Sequence, residues 1–192
     1  KFVCLNVRDS SYLDRHNEHT LTDWSYHNYR NEDIDKYVLS AEELTRRGYY
    51  IFRMGAIVLK PLKSSNPKII DYAVSGMRSE FMDIYLGAKC NFCISTASGF
   101  DEIPHIFRKP IVYIDHVPLK ITSTYSNKFL ITTKKIKLCT EDRLLTFKEI
   151  IDSGVNFEGI EGSWIFDGEY ITQNKQKEPI KLFMIFDVYH ST

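Results

Sequence analysis

Two arginines and one serine-rich loop each follow an apolar segment of the chain, and together they could bind an anion. Arg8 and Arg53 follow two such segments, and the loop Ser95-Thr96-Ala97-Ser98-Gly99 follows a third. Arginine makes bidentate contacts with phosphate oxygens, and a loop that opens a helix presents unpaired backbone N–H groups. If the three segments are parallel strands, the three groups lie at one edge of a sheet. The spacing therefore predicts a site for a phosphate-bearing ligand at that edge.

Each of these groups also has a simpler structural interpretation, which the sequence leaves open. Ser98 and Asp101 fit a variant of the capping box, in which two side chains satisfy backbone N–H groups at a helix start. Arg8 and Asp9 could form a surface ion pair. Arg53 could simply be solvated after its strand. The occurrence of all three groups at three strand ends favours the anion site.

The segment between residues 10 and 31 is long for a connection, which indicates a functional loop or a flap. Carboxylates bind sugar hydroxyls, and aromatic faces bind sugar C–H patches. The segment carries both kinds of side chain: Asp14, His16, Asp23, Trp24, Tyr26, His27, Tyr29 and Arg30. A sugar-binding loop and a surface flap packed on its own aromatic residues are equally compatible with this composition.

A second polar loop is expected at the same edge of the sheet. Asp71, Tyr72 and Arg78 bracket it. These side chains could contact the base or ribose of a nucleotide, or they could pack against the fold. We include Asp71 and Arg78 among the candidate ligand-binding residues.

Several common site motifs are absent. The chain has no G-x-G-x-x-G, no G-x-x-x-x-G-K-[ST] and no G-x-S-x-G. Asp33 and Asp35 form a D-x-D, but they lie at a predicted helix start, where acidic residues are electrostatically favoured. His16 and His19 lack a surrounding set of zinc ligands. We therefore predict no metal site and no cofactor.

The candidate residues need a framework of alternating strands and helices. A parallel sheet with right-handed crossovers follows from that alternation. The predicted strands span 2–7, 49–52, 68–72, 90–95 and 111–114, with an edge strand at 129–133, and the predicted helices span 33–47, 80–86 and 100–107. Ser79 is expected to cap the second helix and Gly87 to end it. Pro104 must lie in a first turn or make a kink.

Composition excludes some classes of protein. The chain has 25 basic and 25 acidic residues, so no overall positive field favours nucleic acid. Its four cysteines include the pair Cys90 and Cys93, which has no second pair to complete a zinc site. We interpret these as small buried thiols in a reducing, cytoplasmic compartment.

The first residues already form a strand, which indicates that the chain is the C-terminal part of a longer protein. Thr146-x-x-Glu149 predicts a capping box before a short last helix. We expect one lobe over residues 1–155 and a peripheral extension over 156–192.

Five segments carry a resemblance to a known family. They resemble bacterial glycosyltransferases found among surface-polysaccharide genes, over about residues 3–155. The segments are CLNVRDSSYL (4–13), DWSYHNYRN (23–31), AEELTRRGYYIFRMGA (41–56), NPKIIDYAVSGMRSEFMDIYLGAKCNFCISTASGFDEIP (66–104) and KPIVYIDHVPL (109–119).

The resemblance implies a GT-B architecture of two Rossmann-like lobes, of which this chain is similar to the C-terminal, nucleotide-sugar-binding lobe. A fainter similarity is to the fucosyltransferase group, in which the arginine of an H-x-R motif binds the donor diphosphate. Arg8 matches that arginine, whereas Asn6 stands where histidine is usual. The serine-containing loop before a helix matches residues 95–99.

The implied activity is metal-independent transfer of a sugar from a UDP- or GDP-linked donor to a glycan or lipid-linked acceptor, at the inner face of the membrane. Arg8, Arg53 and the N–H groups near Ser98 and Gly99 would stabilise the departing diphosphate. The base that deprotonates the acceptor would lie in the other lobe, with Asp9 and Asp23 as local candidates. A sugar-nucleotide epimerase and a non-catalytic nucleotide-binding module are the alternatives.

Overall fold

The computed structural model describes residues 1–16, 24–117, 119, 122, 124–138 and 143–152. Six parallel strands form one sheet in the order β3-β2-β1-β4-β5-β6. The strands are β1 (Phe2–Asn6), β2 (Tyr50–Met54), β3 (Ile69–Ile70), β4 (Phe92–Ser95), β5 (Ile111–His116) and β6 (Phe129–Thr133). This order is that of a doubly wound, Rossmann-like sheet, with its switch point between β1 and β4. The predicted α/β fold with a parallel sheet is confirmed.

Helices flank the sheet. The α-helices are α1 (Ser11–Arg15), α2 (Val38–Arg46), α3 (Glu80–Lys89), α4 (Glu102–Ile106) and α5 (Phe147–Asp152), and 3₁₀ helices span Ser25–Arg30, Ile34–Tyr37, Tyr72–Val74 and Gly99–Asp101. A separate antiparallel pair joins β7 (Lys137–Leu138) and β8 (Arg143–Leu144). No described helix is both long enough and apolar enough to cross a membrane.

The strands are apolar without interruption because helices cover both faces of the sheet. Successive side chains of β1 alternate between two cores. Val3 and Leu5 pack in the core that contains Leu44 of α2. Cys4 packs in the other core, with Leu86 of α3.

The helix predicted over 33–47 consists of the 3₁₀ helix Ile34–Tyr37 followed directly by α2. The Asp33 side chain caps the start by accepting the Asp35 N–H at 2.9 Å. Gly48 has a φ of +87° and ends the helix, as expected for a glycine at this position.

Ser79 caps α3, as predicted, since its Oγ accepts the Met82 N–H at 3.2 Å. The prediction that Gly87 ends this helix is wrong, because α3 continues to Lys89. Gly87 instead permits close packing between helices. A Cβ at this position would lie 2.6 Å from Cγ2 of Ile103 in α4.

The helix predicted over 100–107 is formed by the 3₁₀ helix Gly99–Asp101 and α4. Pro104 is the third residue of α4 and therefore lies in its first turn, one of the two expected places. The edge strand predicted at 129–133 is β6. The predicted extension 156–192 lies outside the described residues.

The predicted capping box before the last helix is also confirmed. Glu149 Oε2 accepts the Thr146 N–H at 2.8 Å, and Thr146 Oγ1 accepts the Glu149 N–H at 3.3 Å.

Candidate functional site

A cavity of about 500 Å³ lies at the carboxyl ends of β1, β2 and β4, beside the switch point of the sheet. Open α/β sheets bind ligands at this place, and the volume is in the range of small-molecule sites. The lining residues are Asn6, Val7, Arg8, Asp9, Tyr12, Leu13, Trp24, His27, Arg30, Gly55, Ala56, Ile57, Val58, Asp83, Ser98, Gly99, Phe100 and Ile103.

A buried polar network shapes the loop between β4 and α4. The side-chain amide of Asn6, the last residue of β1, donates to Ser98 Oγ at 2.6 Å and to Asp101 Oδ1 at 3.1 Å. Asp101 Oδ2 accepts the Ser98 N–H at 2.7 Å, which confirms the predicted capping box. Burial raises the pKa of Asp101 to about 6.

Ser95 holds the turn that follows β4. Its Oγ accepts the Ala97 N–H at 3.1 Å, and Ala97 has a φ of +63°, a conformation unusual for a residue other than glycine. Ser95 is fully buried and does not line the cavity, whereas Ser98 and Gly99 do. In the serine loop, Ser95 therefore has a structural role, whereas Ser98 and Gly99 lie at the cavity.

Two arginines give the cavity a positive wall. Arg8 follows β1 and donates from Nη1 to the His27 carbonyl at 3.2 Å and to Asn31 Oδ1. Arg30 belongs to the 3₁₀ helix Ser25–Arg30 and donates from Nη2 to the Ala97 carbonyl at 2.8 Å. Neither guanidinium group forms an ion pair with a described carboxylate.

The environment of Arg8 still leaves it charged at neutral pH. Burial, followed by the nearby positive charge of Arg30, lowers the pKa of Arg8 to about 10. In addition, Nε of Arg30 is buried and has no hydrogen-bond partner among the described residues. Two neighbouring cations held by neutral oxygen atoms suit a ligand with two negative charges.

The carboxylates at the cavity are already engaged. Asp9 Oδ1 accepts the Ser11 N–H and Oδ2 accepts the Leu59 N–H, both at 2.9 Å. Asp83 pairs with Arg78 at 2.8 Å. Asp9 therefore lies at the cavity, as its candidate role requires, but its two oxygens fix the surrounding backbone. Asp23, the other candidate base, lies outside the described residues.

The structure does not bring Arg53 and Asp71 to the cavity. Arg53 is 0% exposed and donates from Nη1 to Asp71 Oδ1 at 3.0 Å. Asp71 Oδ2 accepts the Leu62 N–H at 2.7 Å. Arg53 is neither the solvated side chain nor the cavity cation that the sequence allowed. Arg78 reaches the lining only through its ion pair with Asp83.

Trp24, His27 and Arg30 belong to the predicted sugar-binding loop or flap, and their common geometry emerges only in the structure. All three line the cavity, and they are spaced by three residues along a 3₁₀ helix and its N-cap. In a 3₁₀ helix, residues i and i+3 eclipse one another. The three-residue spacing of Trp24, His27 and Arg30 is therefore the sequence signal for this shared face. It can be interpreted in this way only once the segment is known to be a 3₁₀ helix.

The described cysteines Cys4, Cys90 and Cys93 are free and buried, as predicted. Within the described part of the chain, no three histidine, cysteine, aspartate or glutamate side chains are grouped so that they could hold a metal ion.

Comparison of the chain with protein-family models, curated proteins and solved structures gives no match.

Proposed function

We propose that the chain is the nucleotide-sugar-binding lobe of a glycosyltransferase, corresponding to the C-terminal lobe of a GT-B enzyme. The convergence of Arg8 and Arg30 on one cavity at the switch point of the sheet carries this proposal. The sequence resemblance points to the same activity. The reaction is transfer of a sugar from a UDP- or GDP-linked donor to a glycan or lipid-linked acceptor in surface polysaccharide synthesis, on the cytoplasmic side of the membrane.

The charge of the cavity suits a diphosphate. Arg8 and Arg30 present two guanidinium groups that pair with no carboxylate among the described residues, and arginine binds phosphate oxygens with two parallel hydrogen bonds. An apolar wall of Ile57, Val58 and Phe100 lies in the same cavity and can cover the less polar parts of the donor. A ligand with an anionic centre and an uncharged flank fits both surfaces.

The same two arginines define a role in the reaction. When the bond between the sugar and the diphosphate breaks, negative charge builds up on the leaving oxygen. Guanidinium groups already in place stabilise that charge, and removal of one such donor typically lowers the rate by about 10²–10³-fold. The proposed transfer uses these side chains and needs no metal ion.

Calorimetric titration of the chain with UDP, GDP and inorganic pyrophosphate tests the binding. We expect one nucleoside diphosphate to bind selectively, and Arg8→Ala and Arg30→Ala each to weaken its binding by about 10–100-fold, since each removes a charge-assisted hydrogen bond. Arg46→Ala is the matched control, because Arg46 is 75% exposed in its side chain and lies outside the cavity lining. Equal affinities of the wild type and Arg8→Ala would contradict the assignment.

Turnover by the full-length protein separates the proposed function from its alternatives. A glycosyltransferase releases free nucleoside diphosphate from a nucleotide sugar, and an added saccharide acceptor accelerates the release. A sugar-nucleotide epimerase releases a sugar of changed configuration with no acceptor present. Binding without either reaction identifies a non-catalytic module.

A further inference from the structure

One face of the 3₁₀ helix Ser25–Arg30 carries three chemically different side chains into the cavity. Trp24, His27 and Arg30 are three residues apart, and side chains at this spacing eclipse along a 3₁₀ helix. All three line the cavity. We call this set the 24–27–30 row. It places an indole ring, an imidazole ring and a guanidinium group in sequence along one wall.

Contacts with the loops after the neighbouring strands β1 and β4, and with Lys134 after β6, fix the segment that carries the row. The carbonyl of His27 accepts from Arg8 after β1, and Arg30 donates to the carbonyl of Ala97 after β4. On the other side, Nζ of Lys134 donates to the carbonyls of Tyr29 at 2.8 Å and of Asn31 at 3.2 Å. The row is therefore a fixed wall of the cavity, held from both sides.

We propose that His27 is the catalytic base of the sugar transfer, which removes the proton from the acceptor hydroxyl. This inference rests on the proposed function. The acceptor oxygen forms a bond to the anomeric carbon while the bond from that carbon to the diphosphate oxygen breaks. The electron pair leaves with the nucleoside diphosphate, next to Arg8 and Arg30, and the proton goes to the imidazole of His27.

Its neighbours equip His27 for this step. The Trp24 ring stacks on the imidazole, with ring centroids 5.9 Å apart and planes inclined by 13°, which fixes the orientation of the ring. Burial, then the positive charges of Arg30 on the same helix and of Arg8 after β1, lowers the pKa of His27. The imidazole is therefore neutral at pH 7 and able to accept a proton.

The carboxylates of the cavity are less suited to the role. Both oxygens of Asp9 accept backbone N–H groups, and Asp83 is paired with Arg78. Asp9 cannot turn towards an acceptor hydroxyl without breaking the hydrogen bonds that hold the backbone at Ser11 and Leu59, and Asp83 cannot do so without leaving Arg78. His27 is the only histidine among the described residues that line the cavity.

The test measures hydrolysis of UDP-glucose, UDP-N-acetylglucosamine, GDP-mannose and GDP-fucose by the full-length protein, with water in place of the acceptor hydroxyl. A positioned base contributes typically about 10²–10⁴-fold, so we expect His27→Ala to lower the rate by at least about 100-fold. We expect its affinity for the nucleoside diphosphate to stay within about threefold of wild type. Added imidazole should restore part of the rate in His27→Ala.

A pH series adds a readout that a purely structural role would not change. The wild-type rate should fall as the pH drops through the lowered pKa of His27, below 6.5, and this decline should be absent in His27→Ala. His105→Ala is the matched control, since His105 lies on α4 outside the cavity lining and should leave rate and affinity unchanged.

The outcomes distinguish this inference from the proposed function. A rate for His27→Ala within fivefold of wild type overturns the inference, as does a loss of affinity as large as the loss of rate. Nucleoside diphosphate binding without hydrolysis of any donor also overturns it, while the binding lobe stands. If the wild type binds no nucleoside diphosphate, the proposed function itself is wrong.

Discussion

Arg8 and Arg53 come from similar sequence contexts, yet the fold uses them in opposite ways. Arg8 lies two residues beyond the last residue of β1 and lines the cavity. Arg53 is the fourth of the five residues of β2, with β1 and β3 on either side, and is fully buried. The comparison teaches that one or two residues of strand length decide whether an arginine faces a ligand or the core.

The hydrogen-bond partners of Arg8 and Arg53 differ in a way that matches their positions. The buried guanidinium of Arg53 is compensated by the carboxylate of Asp71, as a charge inside a protein requires. Arg8 donates to a carbonyl and to a side-chain amide oxygen, which leave its positive charge available. We therefore expect variants at Arg53 to affect stability and variants around Arg8 to affect binding.

The largest expected effect is that of Arg53→Met on stability. It should lower the free energy of unfolding by about 3–5 kcal/mol, because it leaves the Asp71 carboxylate without its partner. Combining Arg53→Met with Asp71→Leu should recover much of the loss, since a well-packed apolar pair can replace a buried ion pair. Urea denaturation measures both. A loss below 1 kcal/mol in the single variant would contradict the comparison.

Lys134→Met should lower the stability less than Arg53→Met does, and it should weaken ligand binding more. Lys134, with only 4% of its side chain exposed, pairs with Glu32 at 2.6 Å and donates to the carbonyls of Tyr29 and Asn31, on either side of Arg30 in the 24–27–30 row. Its loss should cost about 2 kcal/mol, because Glu32 keeps a second partner in Lys36.

The affinity of Lys134→Met for the nucleoside diphosphate should fall as well, as calorimetry at a temperature well below the unfolding transition can measure. Lys36→Met is the matched control. Lys36 also pairs with Glu32, but its side chain is 37% exposed and does not donate to the carbonyls of Tyr29 and Asn31. Equal affinities of Lys134→Met and wild type would show that the row is held by other contacts.

The unfolding free energy of the protein should depend on pH because of the Asp101 carboxyl group. Its folded pKa of about 6 is above its ordinary value of 3.8, so its stabilising contribution is complete below about pH 3.8 and is lost as the pH rises through 6. Between pH 5 and pH 7.5 this contribution should decrease by about 1 kcal/mol. The difference in unfolding free energy between wild type and Asp101→Asn, measured across this range, isolates the effect. A difference that does not change with pH would contradict it.

The smallest expected effect on stability is that of Gly99→Leu. A Cβ at Gly99 would meet no atom of the described residues within 4 Å, and the residue lines the cavity. We expect the unfolding free energy to change by no more than about 0.5 kcal/mol. The affinity for the nucleoside diphosphate should nevertheless fall at least tenfold, with Gly99→Ala as the smaller step. Unchanged affinity in Gly99→Leu would show that the ligand does not bind at this end of the cavity.

Local sequence signals predicted most of the fold. Strands with uninterrupted apolar residues, the Ser79 cap and the box formed by Ser98 and Asp101 depend on neighbours in the chain, so their types and spacing sufficed. The helix end at Gly87 was mispredicted because that glycine serves a contact with Ile103, which is remote in sequence. The burial of Arg53 depends on Asp71 in the same way.

The candidate site was predicted in part. Its place at the carboxyl ends of the strands, and the presence of Arg8, Ser98 and Gly99 there, follow from the strand–helix alternation. The contribution of Arg30 and His27 could not be derived, because the aromatic segment has no strong local signal for a 3₁₀ helix. Whether such a segment covers the sheet or extends away from it depends on packing that the sequence does not encode locally.

The eclipsed spacing of the 24–27–30 row has a consequence for how this segment can change in evolution. Single substitutions alter one chemical group and leave the others in place. Insertion of one residue between Trp24 and Arg30 turns every following side chain by about 120° around the 3₁₀ helix and takes it out of the cavity. Related chains with the same activity should therefore conserve the length of this segment together with His27 and Arg30, and vary in residue type at the positions between them.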